Sequence, residues 1–386
     1  MQHKSTLSFL AVGLMAASLH AAVWNVTLIE QADNPQLDRT RLERAYLGHP
    51  GGSAADGLNV AFDEAQFELE AEKASVKLKV ESAVNLEAAK VAAQKAEKAG
   101  AALLVLSLPG AWVGPVAASV TVPLLNVRAR DDVLREKDCA LHLYHVLPSE
   151  RMRADALAQA LVARRWQNVL VLSGALPEDA ARSVVVQASL KRYGLKTAAV
   201  KSFKLSADPR ERALGNVALL TANLAYDVVW VIDNDGEFAR SVPYNAQLPR
   251  PVVGDGGLVA LSWQAQFERF GAPQVSRRFA KAAKRPITDP DWAAWMAGKA
   301  IVAVATASQK LDAASIHKAL LAAQLDGSKG VALQFRPWDR QLRQPLLLSD
   351  GQGVQGMMPL EGVMHPRNVL DTLGADEAEK LCKVKS

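Results

Sequence analysis

Cysteine is nearly absent: Cys139 and Cys382 are the only two in 386 residues. That is too few for a small fold stapled by several disulfides, and too few for a zinc site built from four cysteines. The pair offers either one disulfide that ties the C-terminal tail to the body or two buried thiols, and the sequence leaves both open. His142 and His145 do not complete a metal site, because their odd spacing in the strand-like run 140–146 sends them to opposite faces. Blocks of like charge are also missing. The 45 basic and 40 acidic residues interleave along the chain, which argues against nucleic acid as the main partner and leaves an anionic small molecule as a suitable one. Beyond the N-terminus no uncharged apolar run reaches the roughly 20 residues needed to cross a bilayer. No stretch reads G-x-x-x-x-G-K-[ST], H-E-x-x-H or G-x-S-x-G, so triphosphate binding, zinc hydrolysis and serine-elbow catalysis lack their local chemistry. The triplet Gly351, Gly353 and Gly356 has the spacing of a dinucleotide turn, but Met357-Met358-Pro359 follows where a helix must open. Nothing nominates a general base or a metal cluster, and the chain reads as a non-enzyme.

The N-terminus carries a basic start at Lys4, an apolar run from Leu7 to Leu19 and small residues at Ala21-Ala22. This is the pattern of a cleaved secretory signal, and it places the mature protein outside the cytoplasm. With 49% hydrophobic residues and its length, the chain supports two compact lobes of roughly 100–200 residues each.

A strand–helix rhythm fills the chain. Val23 to Glu30, Val76 to Val80, Ala101 to Ser107 and Val122 to Val127 read as strands, with helical patterns over 53–72 and 85–99 between them. The rhythm restarts after Pro148, with helices over 151–166 and 178–193 and strands over 168–172, 197–203 and 227–232. Asp208-Pro209 predicts a capped helix to about Leu224, Asp289-Pro290-Asp291 one to about Gln309, and Asp312 one to about Leu325. Alternation of this kind builds parallel sheets flanked by helices. The expected architecture is α/β with two lobes, each a mainly parallel sheet, joined by three crossings. Residues 1–22 form the signal, 23–146 plus about 275–328 the first lobe, 147–274 plus about 329–360 the second, and 361–386 a tail.

In open parallel sheets ligands sit beyond the carboxyl ends of the strands. The residues that follow the strands are therefore the candidates: Trp112, then Arg128 and Arg130, then Asp233 and Asn234, then Asp255. Trp292 and Trp295, three apart at a helix start, share one face and suggest either an aromatic wall or core. Trp263 offers the same choice. Arg336 and Trp338 lie in the Arg- and Trp-rich stretch Gly330 to Pro345, read either as a grip for a planar anion or as a hairpin packed on the scaffold near a hinge.

This order of elements resembles the type I periplasmic solute-binding proteins, the family of the branched-chain amino acid receptors. Three local stretches, Phe335-Arg336-Pro337-Trp338-Asp339-Arg340-Gln341-Leu342-Arg343-Gln344-Pro345, Glu268-Arg269-Phe270-Gly271-Ala272-Pro273-Gln274 and His365-Pro366-Arg367-Asn368-Val369-Leu370, are similar to the branch associated with pyrroloquinoline-quinone-dependent alcohol oxidation. The resemblance implies a monomeric periplasmic receptor that holds pyrroloquinoline quinone as ligand, not as catalyst. It would deliver the quinone to ABC transporter membrane subunits or to a quinoprotein dehydrogenase. Branched-chain amino acids or small aromatic acids are the alternative ligands, and a quinone-dependent enzyme or redox partner is a third reading. Where the amino acid receptors carry small hydroxyl-rich loops, this chain has Pro109-Gly110-Ala111-Trp112 and Arg128-Ala129-Arg130; this departure favours the flat polycarboxylate.

Overall fold

The computed structural model describes residues 22–38, 40, 51–308 and 310–383. The expected signal segment falls outside them except for Ala22, which opens the first strand. In the first lobe, β1 (Ala22–Gln31), β2 (Ala74–Ala83), β3 (Leu103–Ser107), β4 (Leu124–Asn126) and β5 (Leu143–His145) form a parallel sheet in the order β2-β1-β3-β4-β5. The central strand β3 is apolar along its length because helices cover both faces, and Leu103 to Leu106 are all buried. The second lobe repeats the plan with β6 (Asn168–Ser173), β7 (Lys196–Ser202), β8 (Val228–Ile232) and β9 (Val252–Gly254) in the parallel order β7-β6-β8-β9. β10 (Val259–Leu261), β13 (Leu346–Ser349) and β14 (Val354–Met358) add an antiparallel sheet to this lobe, while β11 (Leu325–Asp326) and β12 (Ala332–Leu333) make a small hairpin.

Capping residues set most helix starts. Asn85 accepts from Ala88 N at 2.9 Å to open the helix Leu86–Lys98, and Asp312 accepts from Ser315 N at 2.9 Å to open Ala313–Ala322. Two expected helices differ. Asp208 caps only a 3-10 turn over Pro209–Gly215, and a separate short helix Val217–Thr221 begins after the cap Asn216. The helix Asp289–Ala307 is capped by Thr288 in a reciprocal box with Asp291, which leaves the Asp289 carboxylate for other partners.

That 19-residue helix lies against Ala54–Glu64 at backbone distance. A Cβ at Gly57 would come within 2.5 Å of Asp291 O, and one at Gly298 within 2.5 Å of Ala61 Cβ. Trp292 and Trp295 project from it into the first core, which also takes Trp263, Phe267 and Ala272 ahead of the expected boundary at 275, and Leu333, Phe335 and Leu342 beyond 328. The second core gathers residues 152–260 with Leu346, Leu348, Met358 and Leu373. The return segment to the first lobe thus runs from Trp263 to Leu342, longer than residues 275–328.

The linking segments are bound to one another by buried polar side chains. Arg135 donates through Nε to Gln341 Oε1 at 2.6 Å and through Nη2 to Leu147 O at 3.0 Å. Gln341 donates to His145 O and Leu147 O, and Gln344 donates to Val146 O at 2.7 Å. His145 is wholly buried here; Asn126 Nδ2 lies 3.0 Å from its Nδ1 and Leu134 O 3.2 Å from its Nε2, a pairing that suits the neutral ring. Burial first, and Arg135 second, hold its pKa well below the usual histidine value. The unfolded chain therefore binds a proton below about pH 6.5 that the native hinge refuses. Stability should fall as pH drops from 7.5 toward 5, approaching about 1.4 kcal/mol per pH unit from this group below its unfolded pKa. Urea unfolding across that range, with His145→Gln flattening the slope, checks it.

Candidate functional site

The carboxyl ends of the two parallel sheets face each other across a cleft with a cavity of about 370 Å³. The first lobe contributes Gly52, Ala54, Ser107, Val127 and Arg128, together with the first turn of the helix Asp289–Ala307. The second contributes Arg153, Asp233, Asn234 and Asp255, and Leu261, Trp263 and Gln264 line it where the chain passes between lobes. Arg128, Asp233, Asn234, Asp255 and Trp263, expected from their places in the sequence, therefore meet at one cavity.

Most charges on its wall are already compensated. Asp255 accepts a two-pronged bond from Arg182 at 2.8 and 3.0 Å and receives Asp233 N at 2.7 Å. Asp291 is forked to Arg285 at 2.6 and 2.8 Å. Asp289 pairs with Arg130 and accepts from Ser262 and from Trp263 N. Burial would raise its pKa, but Arg130 and Ser262 outweigh that and hold it below the ordinary carboxylate value. Arg153 is bound to Glu150 at 3.0 and 3.1 Å and to Ala260 O.

Two groups differ. Arg128 reaches only the neutral Gln31 Oε1, at 2.8 Å, and makes no ion pair among the described residues. Burial lowers its pKa to about 10, with Glu30 opposing, so it stays cationic at neutral pH. On the facing lobe the buried Asp233 accepts the backbone N–H of Ala239 at 2.8 Å and likewise has no cationic partner among the described residues. Burial raises its pKa, and Asp255 and Asp235 add to the shift. Among the described residues the cleft thus presents one guanidinium without an ion pair on one lobe and one carboxylate without a cationic partner on the other.

The remaining candidates do not line the cavity. Trp112 sits in the helix Gly110–Ala117, which starts directly after β3, and packs half-buried on the outer layer of the first lobe. Arg130 is spent on Asp289. Trp292 is core: its indole donates to Gly327 O at 3.2 Å, Trp263 stacks on it at 6.1 Å between centroids, and Lys329 Nζ lies 3.8 Å from its ring centroid. Trp295 is core against the helix Ala54–Glu64 and donates to Glu64 Oε2 at 3.0 Å. Arg336 is fully buried on Asp371 and the carbonyls of Leu370 and Leu373, and Trp338 donates to Ala375 O. Arg153 and Gln264 were not foreseen as cleft residues: one sits a turn inside a helix and the other in an irregular link, where no strand end marks the position.

Cys139 and Cys382 form a disulfide, which resolves the alternative left open by the sequence. Among the described residues no helix is long and apolar enough to cross a membrane, and no cluster of three or more His, Cys, Asp or Glu is arranged to hold a metal ion.

No protein-family model and no curated protein matches the chain. Solved structures do. A periplasmic binding protein from Burkholderia mallei aligns over 94% of this chain and 99% of its own at 12% identity, with a TM-score of 0.66. The chain has the type I periplasmic binding protein fold. The leucine-, isoleucine-, valine-, threonine- and alanine-binding protein of Brucella ovis, in its closed conformation, aligns over 85% and 89% at 16% identity and a TM-score of 0.65. An ABC transporter solute-binding protein from R. palustris in complex with benzoate aligns over 87% and 96% at 14% identity and a TM-score of 0.63.

Proposed function

We infer that this chain is a periplasmic receptor of an ABC transport system that closes its cleft on a zwitterionic amino acid with an apolar side chain. The observation that carries this reading is the pair of uncompensated charges on facing lobes, Arg128 and Asp233. A carboxylate suits the guanidinium, an ammonium suits the buried aspartate, and Leu261, Ile287 and Trp263 provide apolar wall between them. Ligand contacts to both lobes supply the difference in binding energy that favours the closed state. Small aromatic acids are the second reading, supported by the benzoate complex of a protein with this fold, but they bring no cation for Asp233.

Pyrroloquinoline quinone has weaker support. Its three carboxylates would meet one uncompensated guanidinium in a cleft also lined by four aspartates, at 233, 255, 289 and 291. Delivery to a quinoprotein dehydrogenase, or turnover with the quinone, depends on that ligand.

Calorimetric titration of the ligand-free protein with leucine, benzoate and pyrroloquinoline quinone separates these readings. Leucine-class amino acids should bind tightest, and Arg128→Ala or Asp233→Asn should each weaken them about 10- to 100-fold, the worth of a hydrogen bond to a charged group. Amino acid binding should also weaken as pH falls through the raised pKa of Asp233, since only its ionised form attracts an ammonium. Tighter binding of the quinone or of benzoate, unaffected by Asp233→Asn, would overturn the reading.

A further inference from the structure

After β14 the chain runs back along the hinge, touching both lobes in turn. On the second lobe, Leu373 is part of the core, Tyr193 donates to Thr372 O at 2.8 Å, and Gly374 N donates to Asp155 Oδ2 at 2.9 Å. On the other side stands Arg336, carried by the segment whose Phe335 and Leu342 belong to the first core. It donates to Leu370 O at 3.2 Å, Leu373 O at 2.7 Å and Ala375 O at 3.3 Å, and its Nε reaches Asp371 at 3.0 Å. Gly374 marks where the tail threads between the lobes. Its φ is 87°, and a Cβ there would meet Met152 Cγ of the second lobe at 2.7 Å and Arg336 Nη1 at 3.4 Å. Farther along, Arg151 of the second lobe holds Glu379, and Cys382 is bonded to Cys139 of the first.

Rotation of one lobe against the other changes the distance between points on opposite sides of the hinge. A segment fastened to both must shear its hydrogen bonds as the angle changes, and a covalent end cannot slip to relieve the shear. We propose that residues 361–382 form a strap, fastened by the Cys139–Cys382 disulfide, that limits the range of interlobe angles. The strap acts on the hinge whatever the ligand is, so its test needs none.

Hydrogen exchange read by mass spectrometry on three samples tests this: the native protein, the same protein reduced by a dithiol, and Cys139→Ser. The dithiol supplies two electrons and two protons, becomes a cyclic disulfide, and leaves thiols at Cys139 and Cys382. Releasing the strap should speed exchange by about tenfold or more at the hinge amides of Val146 and Leu342, which donate to Asn126 O and His145 O, while the amides paired within β1–β3 and β6–β8 keep their protection. Small-angle scattering of the ligand-free protein should broaden in parallel. Hinge exchange that stays constant while the tail itself loses protection overturns the proposal. Equal loss at the hinge and in both sheets also overturns it, because the disulfide is then a clamp on global stability. Should Cys139→Ser not fold, the reduced native protein supplies the released strap without a refolding step and decides alone.

Discussion

Replacing Arg336 with Met should lower stability by about 3–5 kcal/mol, the cost of breaking a buried ion pair by removing one partner. The guanidinium is fully buried, lies 3.4 Å from Asp339 and 3.0 Å from Asp371, and satisfies three backbone carbonyls. Met fills much of the same volume but donates nothing. Asp371 would keep only Arg343, at 2.8 Å, and the carbonyls of Leu370 and Leu373 would be left without this donor. Denaturant unfolding measures the loss. Titration of the variant under conditions where it remains folded should return an affinity within a few-fold of the parent, because Arg336 does not line the cleft. Unchanged stability with lost binding would return Arg336 to the role of a ligand grip.

Trp295→Ala should cost a similar amount, about 3–5 kcal/mol, through lost burial and the cavity left behind. The indole is buried in the first core, donates to Glu64 Oε2 and carries Lys299 Nζ 4.9 Å from its ring centroid. Glu64 would keep its bond from Arg278. Collapse around the gap is hindered because the two helices already meet backbone to backbone at Gly57 and Gly298, so the upper part of the range is expected. A lowered unfolding midpoint with unchanged ligand affinity is the anticipated pair of results. Trp295 is the cleaner probe than Trp292, which supports Trp263 and through it the cleft.

The α/β rhythm was legible because the central parallel strands, such as β3 and β8, are almost continuously apolar and helices such as Leu86–Lys98 and Glu150–Ala163 are Ala-rich and capped. The same rhythm brought Arg128, Asp233 and Asp255 to the cleft, since the end of a strand is readable and the carboxyl edges of the two sheets converge. What residue types do not disclose is whether a charge is already satisfied. Arg130 and Asp289 are 159 positions apart, and Arg336 and Asp371 are 35 apart; each pair is spent internally, and only the folded chain shows it. Trp292 and Trp295 lie off the cleft, and the sequence left this open for a related reason: three-residue spacing puts them on one helix face, but the sequence does not say whether that face meets solvent or the glycine-notched helix Ala54–Glu64. The Arg-rich stretch from Gly330 was misleading in density, because Arg336 and Arg343 are spent on Asp371 and Arg340 on the carbonyls of Leu141 and Pro337.

The Cys139–Cys382 bond joins residues 243 positions apart and so closes the chain into a ring that contains the whole second lobe. A protease that cuts one exposed loop anywhere inside that ring leaves a molecule of almost unchanged mass on a non-reducing gel, and the two fragments separate only after reduction. A chain nicked in this way would keep both halves tethered, and its lobes would still be held across the cleft.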